Sequence, residues 1–261
     1  MNILFIGDIV GRPGRHVAAG LLPALKDRYR IDYTIANGEN SAGGYGITPE
    51  IAVALLDMGI DFITTGNHIW EHKGIIPYLS DSDVVVRPMN ISPMAPGKGF
   101  AVIARPGVRP LAVINMMGRV FMAPAECPFH TSRGVLDLLA QDHPDVRHVL
   151  VDFHAEATSE KQALGWFLDG RVTAVLGTHT HVQTSDEVVL PQGTAYITDA
   201  GMTGVVDGIL GMDRDQIVTR FTTSVQRHAD VAKGREELQG VVVTAGDDGR
   251  AMSISRIKEH L

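Results

Sequence analysis

Asp8, Glu39, Asn40, Asn67, His68, His154, His179 and His181 carry side chains that hold divalent metals or move protons, and each follows a short apolar run. The runs are Ile3-Leu4-Phe5-Ile6, Tyr33-Thr34-Ile35-Ala36, Phe62-Ile63-Thr64-Thr65, Val149-Leu150-Val151 and Ala174-Val175-Leu176. The segments after them are Gly7-Asp8, Gly38-Glu39-Asn40, Gly66-Asn67-His68, Asp152-Phe153-His154-Ala155-Glu156 and Gly177-Thr178-His179-Thr180-His181. Apolar runs of this length read as buried strands, and the loop leaving the carboxyl end of a strand is where open α/β sheets place ligands. Five such ends in a row read as one site. Carboxylate, amide oxygen and imidazole without thiolate suit iron, manganese or zinc.

A two-metal centre needs a bridging carboxylate, terminal imidazoles or carboxylates on each ion, and an open position for water. Asp8 and Glu39 supply carboxylates, His154, His179 and His181 imidazoles, and Asn40 and Asn67 amide oxygens. In an extended segment His179 and His181 point to one face, with Thr180 on the other. Asp152 and Glu156 flank His154, where either orients an imidazole or serves the structure. His143, His148, His228 and His260 sit in polar stretches and are expected in solvent, and Gly11-Arg12-Pro13-Gly14 reads as a turn.

The elements that must position these groups alternate strand and helix through the first half, which predicts a largely parallel, buried sheet. Helices are expected from Arg15 to Arg28, from Thr48 as N-cap with Pro49 at the first helical position to Gly59, and from Glu71 to Leu79. Residues 100–104 and 111–114 read as adjacent strands. Hairpins are expected from 188–190 with 195–197 and from 241–243 with 251–254. The stretches 116–130 and 201–215 carry too little pattern to assign; the second, with four glycines, looks like a substrate-facing loop. Without repeats or a polar linker, residues 1–261 read as a single domain. Two facing sheets with helices outside fit the mixture.

With 30 acidic against 23 basic side chains the net charge is -7, which argues against long nucleic acid as a partner. The one cysteine, Cys127, leaves no intramolecular disulfide and no structural zinc cluster. No apolar run is long enough to cross a bilayer, and Met1-Asn2 leads into a strand without a basic leader, so a cytoplasmic location is expected.

In this order the motifs resemble the calcineurin-like metallophosphoesterase superfamily. Gly7-Asp8-Ile9-Val10-Gly11, Asn37-Gly38-Glu39-Asn40, Gly66-Asn67-His68-Ile69-Trp70 and Thr198-Asp199-Ala200-Gly201-Met202-Thr203-Gly204 resemble its bacterial YmdB-type branch. The resemblance implies a four-layer α/β/β/α sandwich with two facing mixed sheets and hydrolysis of small cyclic nucleotides of the 2′,3′-cAMP type. It implies that Asp8, Glu39, Asn40 and His181 hold one metal, and that Glu39, Asn67, His154 and His179 hold a second. His68 matches the general acid. Two departures from the wider superfamily, Val10 for a histidine and Glu39 for the bridging aspartate, are shared with the narrower branch. Iron or manganese is implied, with zinc possible, and a homo-oligomer is a common state of the family. Hydroxide formed between two cations would attack phosphorus in line while His68 protonates the leaving alkoxide. The rival readings are a phosphatase or nuclease with the same metal core, and a regulatory protein whose metal centre is non-catalytic.

Overall fold

The computed structural model describes residues 1–226 and 228–261. The chain begins with β1 (Asn2–Ile6), β2 (Asp8–Ile9), α1 (Gly11–Tyr29), β3 (Tyr33–Asn37), α2 (Pro49–Asp57), β4 (Phe62–Thr64) and α3 (Ile75–Asp81). It continues through β5 (Phe100–Arg105), β6 (Val108–Met117), α4 (Pro128–Asp142), β7 (His148–His154), α5 (Thr158–Phe167) and β8 (Ala174–Thr178). It ends with β9 (Val188–Val189), β10 (Ala195–Ile197), β11 (Met202–Val205), α6 (Arg214–Thr223), β12 (Glu236–Ala245) and β13 (Ala251–His260).

Two mixed sheets result. In the first, β1, β3 and β4 run parallel, β12 lies antiparallel to β1, and β13 covers the other edge of β12. Where β1 ends, β11 takes its place beside β12 and pairs in parallel with β2. The second sheet has β6, β7, β8 and β10 parallel, with β5 and β9 antiparallel at its edges.

Alternation along β1 shows how the layers are specified. Ile3 and Phe5 face the second sheet, in a core with Leu111, Val113, Leu150 and Leu176, while Leu4 and Ile6 face Val17, Leu22 and Leu55 of the helical layer. On the outer face of the second sheet, Val135, Leu139 and Leu164 of α4 and α5 cover Ile114, Val151 and Val175. The order is therefore helix, sheet, sheet, helix, as expected. A buried Leu, Ile or Phe contributes about 1.5–3 kcal/mol, so the inter-sheet core holds the carboxyl ends of the two sheets at fixed separation.

Helix α2 starts as its sequence dictates: Thr48 Oγ1 accepts from Ile51 N–H (3.3 Å), and Pro49 sits at the first position. Gly11-Arg12-Pro13-Gly14 is the first turn of α1 and not a separate turn. Pro13 is tolerated there because first-turn amides have no intrahelical partner. The third helix begins at Ile75, later than expected, because residues 67–74 coil round the site as turns. Both expected hairpins are present, the last with longer arms. The unassigned stretch 116–130 completes β6, makes a loop and enters α4; within 201–215, residues 202–205 form β11. His148 is buried, not solvated, because β7 carries it under the Gly246 carbonyl, which accepts from Nε2 at 2.8 Å. Among the described residues no helix is long and apolar enough to cross a membrane.

Candidate metal centre

All eight residues singled out by type and spacing converge at the carboxyl ends of the strands. Asp8 opens β2, Glu39 and Asn40 follow β3, and Asn67 and His68 follow β4, all on the first sheet. His154 ends β7, and His179 and His181 follow β8, on the second. Asp8, Glu39 and His154 are fully buried. The strand ends pack so closely that a side chain fits at neither Gly66 nor Gly177. A Cβ on Gly66 would lie 2.2 Å from Glu39 Oε2, and one on Gly177 would lie 1.7 Å from the Thr198 carbonyl oxygen.

His154 is the centre of the arrangement. Thr178 Oγ1 donates to Asp152 Oδ1 (2.7 Å), which leaves Thr178 Oγ1 to accept from His154 Nδ1 (2.9 Å). Asp152 also accepts from Asn37 Nδ2 (2.9 Å) and Thr64 Oγ1 (2.5 Å). With its proton on Nδ1, the imidazole turns the lone pair of Nε2 towards Glu39 Oε1 (3.0 Å), Asn67 Oδ1 (3.1 Å) and His179 Nδ1 (3.1 Å). His179 in turn has its Nε2 against Glu156 Oε2 (3.2 Å), which leaves Nδ1 facing inward. Four acceptor atoms thus face one another in a buried space, an arrangement that a bound cation satisfies. Glu39, His154 and His179 each bring a ligand atom within 4.8 Å of the others.

The second half of the site surrounds Asp8. Asp8 Oδ2 accepts from the His179 amide (3.1 Å), while its buried Oδ1 has no hydrogen-bond partner among the described residues and faces His181 Nε2 at 3.6 Å. Asn40 lies between the halves, with Nδ2 at 3.1 Å from both Glu39 Oε1 and His181 Nε2, and Oδ1 at 3.1 Å from His68 Nδ1. The residues present therefore fit a metal: an orphaned carboxylate oxygen, and acceptors aimed at acceptors.

The electrostatics agree. Burial alone would raise Glu39, yet His154 and His68 hold its carboxyl well below the usual range. Burial opposes protonation of His154, but Glu39 and then Asp8 bring it up to about 9. Burial, followed by the charge on His154, drives His179 down to about 3. Burial pushes Asp152 up to about 6. Without a cation a proton on His154 meets the charge of Glu39, and a divalent ion competes for that place.

His179 and His181 reach the site by a route that strand geometry does not describe. β8 stops at Thr178, and both histidines take left-handed backbone angles (φ 95° and 59°). Thr180 between them does face away, held to Asp199 Oδ2 by its amide (3.0 Å) and hydroxyl (2.6 Å). Lys161 Nζ closes this anchor from α5 at 2.9 Å from the same oxygen, fully buried. Nothing local marks Lys161 as part of the site; Asp199 lies within the Thr198–Gly204 motif.

His68 is partly exposed and bonded through Nδ1, with Tyr45 packed edge-on at 5.2 Å between ring centres. It opens into a cleft of about 350 Å³ walled by Tyr45, Leu210, Arg220 and Phe221 as well as by the convergent residues. Of the stretch 201–215, Ile209, Leu210 and Met212 line this cleft.

The model of the family described as YmdB-like protein matches residues 4–257. The chain belongs to that family. It is 49% identical over 258 residues to the 2′,3′-cyclic-nucleotide 2′-phosphodiesterase of Bacillus subtilis (strain 168), covering 98% of this chain and 96% of the relative. The crystal structure of a hypothetical protein from Thermus thermophilus superposes with a TM-score of 0.91 at 42% identity, covering 100% and 99% of the two chains. That of a novel phosphatase from Mycoplasma pneumoniae gives 0.92 at 30%, covering 100% and 93%.

Proposed function

We propose that this YmdB-like protein is a phosphoric diester hydrolase with a dinuclear metal centre, acting on small cyclic nucleotides of the 2′,3′-cAMP and 2′,3′-cGMP type. The observation that carries the reading is the set of acceptors facing His154 Nε2, with His68 at the mouth of the same cleft. The activity of the Bacillus subtilis relative supports the substrate class.

Asp8, Glu39, Asn40 and His181 would hold one ion and Glu39, Asn67, His154 and His179 the other, with Glu39 shared. Asn40 must turn its amide for this, since Nδ2 rather than Oδ1 now faces Glu39 and His181; amide oxygen and nitrogen exchange by a half-turn. Iron or manganese suits the donors, and zinc is compatible with them. When bound, the metal pair supplies an activated water near neutral pH and neutralises charge on the phosphoryl oxygens.

The chain's own residues do the rest. Asp152, through Thr178, fixes the proton of His154 on Nδ1 and keeps Nε2 free to ligate. With its amide turned, Asn40 would present Nδ2 to His68 Nδ1, 3.1 Å from Oδ1 as it now lies. Nδ1 then accepts and the imidazole proton sits on Nε2, which gives it to the ribose oxygen as its bond to phosphorus breaks and water oxygen takes its place. Proton donation of this kind contributes about 10²–10⁴ in rate. Two buried carboxylates favour a monoanionic diester over a dianionic monoester. Residues 1–261 would work as a single domain.

Purified protein should hydrolyse 2′,3′-cAMP with added Mn²⁺, lose turnover in EDTA, and slow by about 10²–10⁴ in His68→Ala with its metal content kept. Turnover indifferent to EDTA would overturn the metal mechanism. Absence of turnover with both ions bound would overturn the substrate class.

A further inference from the structure

Hydrolysis needs only the phosphodiester ring, yet the cleft extends well beyond the groups that would touch it. Resting on the cyclic-nucleotide reading, we propose that the wall formed by Tyr45, Leu210, Arg220 and Phe221 is a nucleobase subsite, with Phe221 the residue that stacks on the base.

The direction follows from His68. Its proton goes to an oxygen that belongs to the ribose, so the sugar and base lie on the His68 side of the reacting phosphorus. On that side Tyr45 packs against His68 at 5.2 Å, and His228 packs against the tyrosine at 5.1 Å. Tyr45 is placed there by Gly43, Gly44 and Gly46, all with positive φ. Opposite lies α6, which brings Arg220 and Phe221 to the cleft, and the loop before it, which brings Leu210.

Phe221 is 80% exposed, an unusual state for a phenylalanine in the wall of a cleft. An exposed aromatic face beside an apolar wall offers a purine or pyrimidine what it needs, since every base has a π-face and stacking is tolerant of sequence. Arg220, half-buried beside it, brings N–H donors to the acceptor atoms on base edges. Another apolar pocket, of about 410 Å³ between Asn67, Trp70 and Pro124, has no wall from His68. The leaving oxygen therefore does not point the base into it.

The test compares 2′,3′-cAMP with glycerol 1,2-cyclic phosphate, which has the same reactive ring and no base. Phe221→Ala should raise KM for 2′,3′-cAMP by about tenfold, the order expected for one lost base stack. Its kcat on the nucleotide, and both constants on the glycerol diester, should stay as in wild type. An unchanged KM for 2′,3′-cAMP, or an equal loss on both substrates, overturns the subsite. So does a base-selective KM defect that appears in Trp70→Ala and not in Phe221→Ala. If wild-type protein cleaves neither diester, the proposed activity falls, and the subsite is read instead by titration with adenosine. Weaker adenosine binding in Phe221→Ala then upholds the wall, and equal binding refutes it.

Discussion

The Lys161–Asp199 pair should behave as a buried ion pair whose removal costs both stability and metal. Both side chains are fully enclosed, 2.9 Å apart. In the unfolded chain each charge is hydrated, so Lys161→Met leaves a buried carboxylate without its cation. Breaking such a pair costs about 3–5 kcal/mol. Asp199 keeps donors from Thr180 N and Oγ1 and from Gly201 N (2.8 Å), which places the expected loss at the lower end, about 3 kcal/mol. The loop bearing His179 and His181 hangs on those same bonds, so metal bound per chain should fall as well. Chemical denaturation gives the first quantity and elemental analysis after dialysis the second. Lys161→Met/Asp199→Asn should recover part of the stability, because no uncompensated charge remains. A loss below about 1 kcal/mol, the scale of an exposed pair, would refute the argument. So would a normal metal content in a destabilised Lys161→Met protein, since it would separate the anchor from the imidazoles.

Gly66→Ala should empty the centre, because the new Cβ overlaps Glu39 Oε2 and lies 2.3 Å from His154 Nε2. Overpacking of this kind costs about 1–3 kcal/mol, and wild-type metal content in the variant would contradict the close packing of the strand ends. His148 gives a pH dependence of folding. Burial lowers its pKa, and its Nδ1 has no acceptor among the described residues to receive a second proton. The folded protein therefore binds fewer protons than the unfolded one as pH falls through about 6.5, the unfolded value. The stability is complete above that pH and is lost below it, towards the folded pKa. Denaturation midpoints should fall less steeply with acid in His148→Gln than in wild type; parallel curves would rule out this origin.

What the sequence reveals and what it hides divide along chain distance. A strand, a glycine and a ligand are neighbours in sequence, so all five strand ends are legible, as is the Thr48-Pro49 helix start. The left-handed turn at His179 and His181 is not, because Asp199 and Lys161 impose it from 19 residues downstream and from α5. The helix expected from Glu71 starts only at Ile75, because residues 67–74 form turns, and His68 in them opens into the cleft. His148 looks polar by its neighbours, and only the β7 register puts it under Gly246. Tyr45 and Phe221 share no periodicity with anything; topology alone brings them to one cleft.

The strand order carries a consequence for how this chain must be made. Asp8 is held by β11, whose own partner is β12, and β12 pairs along its length with β13 at the end of the chain. The C-terminal hairpin contributes no side chain to the centre, yet the eighth residue has no fixed place until it arrives. During synthesis the carboxylates emerge first and the imidazoles much later, and the loop that unites them closes last, across more than two hundred residues. Contacts of that span are slow to form. A chain cut short before β12 would keep every candidate ligand and still lack the scaffold that sets Asp8 against His181.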